Sequence, residues 1–525
     1  MAKPDVRVRM YKRILGDCFL ITVRQRGKQS NLLIDCGVLQ GVSGDKALMQ
    51  EVARDIVETT GKGQQGAVIH MLAVTHEHHD HISGFAHARE TFLDEGGPLT
   101  IERVWMAWTE KADDPQAMQL RQRFEKSKVA VAAAASLAKL RMGDDDAALA
   151  ELDGLEDFVG PVNGALAASK GRLTGRETML ALKKKAGEEQ VDYLEPGEVR
   201  TTPGPVGLRA YVLGPSRDPE RLFQDLPSKD GHETYLKALN ESADVFAMSL
   251  GAASGVADSA GAASPFSRRH QSLTVAAARE LAERQLGERK LGEARKAQPD
   301  PANALYADYY RDDAEARRID NDWAGAAGAL ALKLDSDTNN GSLVLAFELG
   351  DKPGEGPVLL FAADAQVGNW LSWHDQPYPE TAEKNKAGVA KIGKVTAESL
   401  LNRTVLYKVG HHASHNATLK DKGLEMMTDP GLVAMIPVVS AVSDTKKGWH
   451  MPYVPLLERL VAKTGGRVLR GDCALGDGLK VKDGKIVYGD PLPVDAAVAN
   501  RVKVHNTANP VTQQQDEAWV EYKIP

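Results

Sequence analysis

The chain has 525 residues, 42% apolar and 26% charged, values that support a sizeable core and exclude global disorder. Its 65 basic and 72 acidic side chains leave a net charge of −7, so the surface is no polycation and nucleic-acid binding would need a local patch. At about 150 residues per domain, the length predicts three or four units or one large fold with insertions.

The charged N-terminus lacks an apolar signal core, and no run approaches the roughly 18 apolar residues of a membrane helix. Cys18, Cys36 and Cys473 form no disulfide framework. A soluble, cytoplasmic protein is expected.

In chain order, Val6 to Tyr11, Cys18 to Val23 and Asn31 to Ile34 read as strands, with Arg26-Gly27-Lys28 as a hairpin turn. Gly66 to Val74 is unbroken apolar sequence except for His70, the pattern of one strand covered on both faces. A helix from Ile82 to Leu93 and a strand from Ile101 to Trp105 follow. Residues 110–190 are helical in composition, notably Val129 to Leu140 and Ala147 to Leu152. A strand at Leu208 to Leu213 precedes a second insertion, residues 216–330, with a Gly/Ala/Ser loop at Leu250 to Ser264 and a charged helix at Leu273 to Lys296. Strands resume at Ser342 to Glu348, Val358 to Ala362 and Val405 to Val409. The expected organisation is one discontinuous domain (residues 1–109, 191–215 and 331–490), two mainly helical insertions (110–190 and 216–330) and a C-terminal extension (491–525).

Chemistry concentrates in Thr75-His76-Glu77-His78-His79-Asp80-His81, directly after a buried strand: four imidazoles and two carboxylates in six residues. Imidazole nitrogen and carboxylate oxygen are the donors that zinc and similar dications take. His76 and His78 can face one ion while Asp80 and His81 bend toward a second. Ions about 3.5–4 Å apart orient a hydroxide and neutralise a developing oxyanion.

The pattern His-x-His-x-Asp-His resembles the metallo-β-lactamase superfamily, and further segments match it in order. Gly16-Asp17-Cys18 and Leu33-Ile34-Asp35-Cys36-Gly37 stand where that family carries its early Gly-Asp and Ile-Asp-x-Gly. Leu359 to Ala365 looks like the segment of the bridging aspartate, here Asp364, and Lys408 to Ser414 like that of the final metal histidine. Asn339-Asn340-Gly341-Ser342, His411-His412-Ala413-Ser414 and Trp449-His450-Met451-Pro452 are similar to one branch. It includes the metallo-hydrolase domain of bacterial DNA-uptake (competence) channel proteins and the phosphorylcholine esterases.

The resemblance implies an α/β (α+β) fold, an αββα sandwich of two mixed sheets with helices outside. It implies zinc, as one or two ions, with manganese or iron as substitutes. The metal set is His76, His78, Asp80, His81, Asp364 and one of the pair His411 and His412. The metal is assigned to His411, and His412 is grouped with Asp80 and His450 as catalytic. Asp35 either orients a ligand imidazole or caps the turn at Gly37. Asn340 and His415 are candidate substrate contacts, each with a plain turn or loop role as its counterpart. Ser414 is expected to cap a helix. The family's further metal histidine has no counterpart near Leu213-Gly214-Pro215, and His232 and His270 are expected at the surface.

Lys183-Lys184-Lys185 and Arg268-Arg269-His270 are basic clusters that usually mark solvated faces. Trp105, Trp108, Trp370, Trp373 and Trp449 offer stacking faces for bases or ordinary packing. The expected function is hydrolysis of a phosphodiester, nucleic acid or nucleotide included, by a metal-bound hydroxide, without a membrane partner. The alternatives are hydrolysis of a small carboxylic ester, lactone or lactam, and partner binding around a structural metal.

Overall fold

Short apolar runs bounded by turns build two mixed β-sheets. The computed structural model describes residues 3–40, 42–63, 66–125, 173–225, 333–384, 390–444, 449–474, 478–482, 485–489 and 496–525. The chain divides into two units, Met1–Glu125 with Gly154–Asn240 and Lys333–Pro525, and Lys126–Asp153 with Glu241–Leu332. The second unit lies outside the described residues, as do the helices expected at 129–140, 147–152 and 273–296, the loop at 250–264, His232, and Arg268 to His270.

One sheet runs, in spatial order, Val502–Ala508, Gln515–Lys523, Asp5–Tyr11, Phe19–Gln25, Lys28–Ile34, Met71–Ala73, Val104–Ala107 and Val191–Leu194. The other runs Val468–Arg470, Val433–Ile436, Thr404–Lys408, Val358–Phe361, Val344–Glu348, Arg209–Gly214 and Val199–Thr201. Alternation sends Val6, Val8, Met10, Phe19 and Ile21 from the first sheet and Val212, Leu345, Phe347 and Phe361 from the second into one shared core. Phe19 and Phe361 meet there edge to face, with centroids 5.6 Å apart. Each such side chain stabilises the sandwich by about 1.5–3 kcal/mol.

Opposite residues, Leu20, Leu33, Leu72, Leu360 and Tyr407 among them, pack with the helices. Helix Asp45–Gly61 buries Leu48, Met49, Val52, Ala53, Ile56 and Thr60, one stripe at helical spacing. Helix Gly175–Ala186 starts at a capping box of Thr174 and Glu177 and buries Met179 and Leu182. Helix Val454–Thr464 has Pro455 in its first turn, ends at left-handed Gly465 and buries Leu456, Leu457 and Leu460. Helices on both outer faces make the expected αββα arrangement.

Several expected elements change. The apolar run from Gly66 to Val74 is two strands, Ala67–Ile69 and Met71–Ala73, in different sheets. His70 causes the break: its N–H donates to Asn31 O at 2.9 Å, and its Nδ1 accepts from Asn31 N at 3.0 Å. Residues 101–105 split likewise, into Leu99–Ile101 and Val104–Ala107. The helix expected from Ile82 begins earlier, at His79, and runs to His87, followed by Arg89–Phe92. Residues 175–186, assigned to an insertion, belong to the packed core. The C-terminal segment is no appendage either, because Gln515–Lys523 pairs antiparallel with Asp5–Tyr11.

Lys28–Ile34 pairs parallel with Met71–Ala73, and Val358–Phe361 with Thr404–Lys408. The carboxyl ends of these strands release their loops at one edge of the sandwich, the usual place for a site in sheets of this kind. Leu343 N donates to Thr75 O at 2.9 Å and ties the sheets together at that edge. Among the described residues no helix is long and apolar enough to cross a membrane.

Candidate metal centre

The motif after Met71–Ala73 enters helix His79–His87 within its first turn, and both flanks of that turn are held by backbone. Asp17 N donates to Asp80 O at 2.9 Å, Cys36 N to His81 O at 2.8 Å, and Gly37 N to Asp17 O at 3.0 Å. Glycine is required at position 37: a Cβ there would lie 2.1 Å from the carbonyl of Asp80 and 2.3 Å from His81 N.

On this support Asp80, His81, Asp364 and His412, all buried, bring one donor atom each within 4.8 Å of one another. His81 Nε2 lies 3.2 Å from Asp364 Oδ2 and 3.6 Å from Asp80 Oδ2, and His412 Nε2 lies 2.9 Å from Asp80 Oδ2. The far side of each ring fixes its tautomer. His81 Nδ1 faces Asp35 Oδ2 at 2.8 Å and His412 Nδ1 faces the Pro437 carbonyl at 2.7 Å, both acceptors, so Nδ1 carries the proton in each. Each Nε2 therefore faces a carboxylate oxygen, and a neutral ring would do so with its lone pair. Lone pairs facing lone pairs in a dry site require a proton or a cation between them.

His76 completes the picture beside them. Its ring centroid stands 4.6 Å from that of His78 and 4.2 Å from that of His81. Its Nδ1 contacts Thr75 Oγ1 and Ser342 Oγ at 3.1 and 3.3 Å, while buried Nε2 has no hydrogen-bond partner. Asp80 Oδ1 and Asp364 Oδ2 have none either. Such orphaned nitrogen and oxygen donors fit a zinc-like dication.

No family model matches the chain, and no curated protein is similar to it.

Electrostatics agree with the geometry. Burial opposes charge on His81, but Asp364, Asp80, Asp17 and Asp35 outweigh it and hold its pKa well above the ordinary value. His412 is likewise raised despite burial, by its bond to Asp80. Burial would raise the Asp364 carboxyl, yet His81, His411 and Lys408 pull it well below the usual range. Burial lowers His78 and His411 to about 4, so both rings are neutral near pH 7. Uptake of a dication by His81 and His412 would displace protons.

The structure places the other expected residues differently. His412, not His411, stands with the donor cluster. His411 donates its backbone N–H to Asp364 Oδ1 at 3.1 Å, and its ring centroid lies 6.1 Å from that of His412. The cause is a run of left-handed residues, His411 (φ 43°), His412 (φ 50°) and Ala413 (φ 65°), which defeats the simple alternation of a strand end. Asp35 has the orienting role, accepting also from Thr75 N and Oγ1 at 2.8 and 2.7 Å. Asn340 is occupied by the fold: its Oδ1 accepts from Gln366 N and Asn369 N, and its Nδ2 donates to Gln224 O. His450 does not join the cluster; its side chain is 80% exposed, beside Asp444 at 3.7 Å. His415 is half-buried, with Tyr453 edge-on at 6.3 Å. Ser414 Oγ contacts Asn416 Oδ1. His79 faces away and helps line a 660 Å³ hollow with His87 and Arg89.

Two lysines of the first basic cluster and four of the five tryptophans are engaged in the fold, while Arg268 to His270 lie outside the described residues. Lys183 is buried, its Nζ donating to Glu110 O at 3.0 Å, and Lys185 Nζ donates to Asp94 O at 2.6 Å. Trp105, Trp108, Trp370 and Trp373 are core residues.

Two groups carried no role in the sequence. Lys408, buried at the end of its strand, pairs with Asp17, donates to Ala363 O at 2.9 Å and stands 3.5 Å from Asp364 Oδ1. Its signal was a lysine closing an otherwise apolar strand. Asp335, in helical residues 333–340, places Oδ1 3.6 Å from His78 Nε2.

Asp35→Asn supplies a direct check. An amide N–H facing His81 Nδ1 would favour the wrong tautomer, so metal affinity is expected to fall about 10- to 100-fold with the fold kept. Competition against a fluorescent chelator measures it; unchanged affinity contradicts the orienting role.

Proposed function

We propose that the chain is a metal-dependent hydrolase of the metallo-β-lactamase kind, acting on phosphodiesters. The convergence of the buried donors Asp80, His81, Asp364 and His412 carries this reading. Zinc, or manganese or iron in its place, would be held by these four with His76 and His78, and would supply a Lewis acid and a water of lowered pKa.

The protein's own groups do the rest. Asp35 and the Pro437 carbonyl keep Nε2 of His81 and His412 turned inward. Lys408 fixes Asp364 from behind and balances Asp17. Asp80 Oδ1 is the acceptor available to a proton of the attacking water. With His412 among the metal donors, contact with the substrate passes to His411, a neutral ring at the margin of the cluster. The motif resemblance supplies the phosphodiester class, and paired dications suit its in-line displacement.

The test is turnover of bis-p-nitrophenyl phosphate and of p-nitrophenyl acetate, each with and without chelator. Chelator-sensitive cleavage of the phosphate diester is expected. Preference for the acetate would overturn the substrate class, and no turnover of either would favour a structural metal.

A further inference from the structure

His76 and His78 stand beside the cluster of Asp80, His81, Asp364 and His412, and on the metal reading above they lack the further donor that the resemblance places near Leu213-Gly214-Pro215. We propose that Asp335 is a metal ligand, completing with His76 and His78 the half of the centre that Asp364 joins to the other. The assignment rests on the metal-binding part of the reading above.

Three observations support it. Asp335 is 8% exposed, and its Oδ1 has no hydrogen-bond partner while lying 3.6 Å from His78 Nε2. Its other oxygen is fixed, Oδ2 accepting from Asn339 Nδ2 at 3.0 Å, so the carboxylate is held by one atom and offers the other. The segment carrying it is tied to the loop of Asp364: Asn340 Oδ1 accepts from Gln366 N at 3.1 Å and Asn369 N at 3.2 Å. The arrangement therefore belongs to the centre's own scaffold.

Charge points the same way. Asp335 adds a third carboxylate to Asp80 and Asp364 in the donor set, Asp17 and Asp35 being paired with Lys408 and His81. Like charges gathered out of water are costly unless cations neutralise them, and three carboxylates with neutral imidazoles nearly balance two dications.

The experiment uses the full chain stripped by chelator, then titrated with zinc and, in parallel, with cobalt(II) followed by its visible absorption. Wild type is expected to take up two ions. D335N should keep one and bind the second at least about tenfold more weakly, with a changed cobalt spectrum. D335H, which restores a donor, should recover the second ion. Metal-free D335N should unfold at no lower a midpoint than wild type, because an amide oxygen still accepts from Asn339; a carboxylate needed only for structure would lower it. Should D335N prove less stable, recovery of binding by D335H supports the assignment and its failure overturns it. Unchanged stoichiometry, affinity and spectrum in D335N overturn the assignment alone. A wild-type chain that binds no ion overturns the metal reading and this assignment together.

Discussion

Asp364→Ala is expected to lower phosphodiester hydrolysis by at least about a thousandfold, the scale of several kcal/mol of lost transition-state stabilisation. Asp364 stands within the donor cluster, Oδ2 3.2 Å from His81 Nε2 and Oδ1 receiving the N–H of His411. Its removal takes away a negative charge that holds His81 and Lys408 in place. The fold should survive, because the sandwich core is built from other residues, and stability should fall by about 1–3 kcal/mol for the acceptor lost. Steady-state kinetics with circular dichroism and a urea transition separate the effects. A variant with wild-type rate would remove Asp364 from the site; one that is inactive because unfolded would show it in the urea transition.

Gly37→Ala is expected to be among the most damaging small substitutions. The added methyl would stand 2.1 Å from the carbonyl of Asp80 and 2.3 Å from the nitrogen of His81. Backbone on both sides cannot step aside as a flexible side chain would, so about 3 kcal/mol or more of strain is expected. The strain falls on the turn that aims Asp80 and His81, so metal affinity should fall with stability. Gly27→Ala is the control. Gly27 has φ 77° in an open hairpin turn with nothing within 4 Å of its Cβ, and should cost only about 1 kcal/mol with no effect on metal binding. Equal effects at the two positions would contradict the close approach at Gly37.

The sequence showed most of the scaffold because alternation and turn residues state it directly: Val6, Val8 and Met10 lie inward, and Arg26-Gly27 turns the hairpin. His76, His78, Asp80 and His81 were legible because they fall in a single turn. The choice between His411 and His412 was not. Consecutive left-handed residues rotate the pair away from alternation, and although histidine is enriched at positive φ, a run of three such residues ending in Ala413 has no local sequence signal. Asp35 (φ 54°) and Ala363 (φ 48°) share that conformation beside the site, so local strain and the donors occur together. His70 hid a change of sheet inside an apolar run, since a side chain bonding to Asn31 backbone has no periodic signature. Asp335 is more distant still: its place beside His78 depends on a tertiary contact between segments 257 positions apart, and local pattern holds no trace of such pairing.

Metal content of the protein purified without chelator tests the central claim most directly. Mass spectrometry of the intact chain's metals should find at least one stoichiometric zinc, manganese or iron ion, lost in His412→Ala and in Asp364→Ala. A folded wild-type chain that carries no stoichiometric metal, and takes up none when zinc is added, would contradict the account at its root.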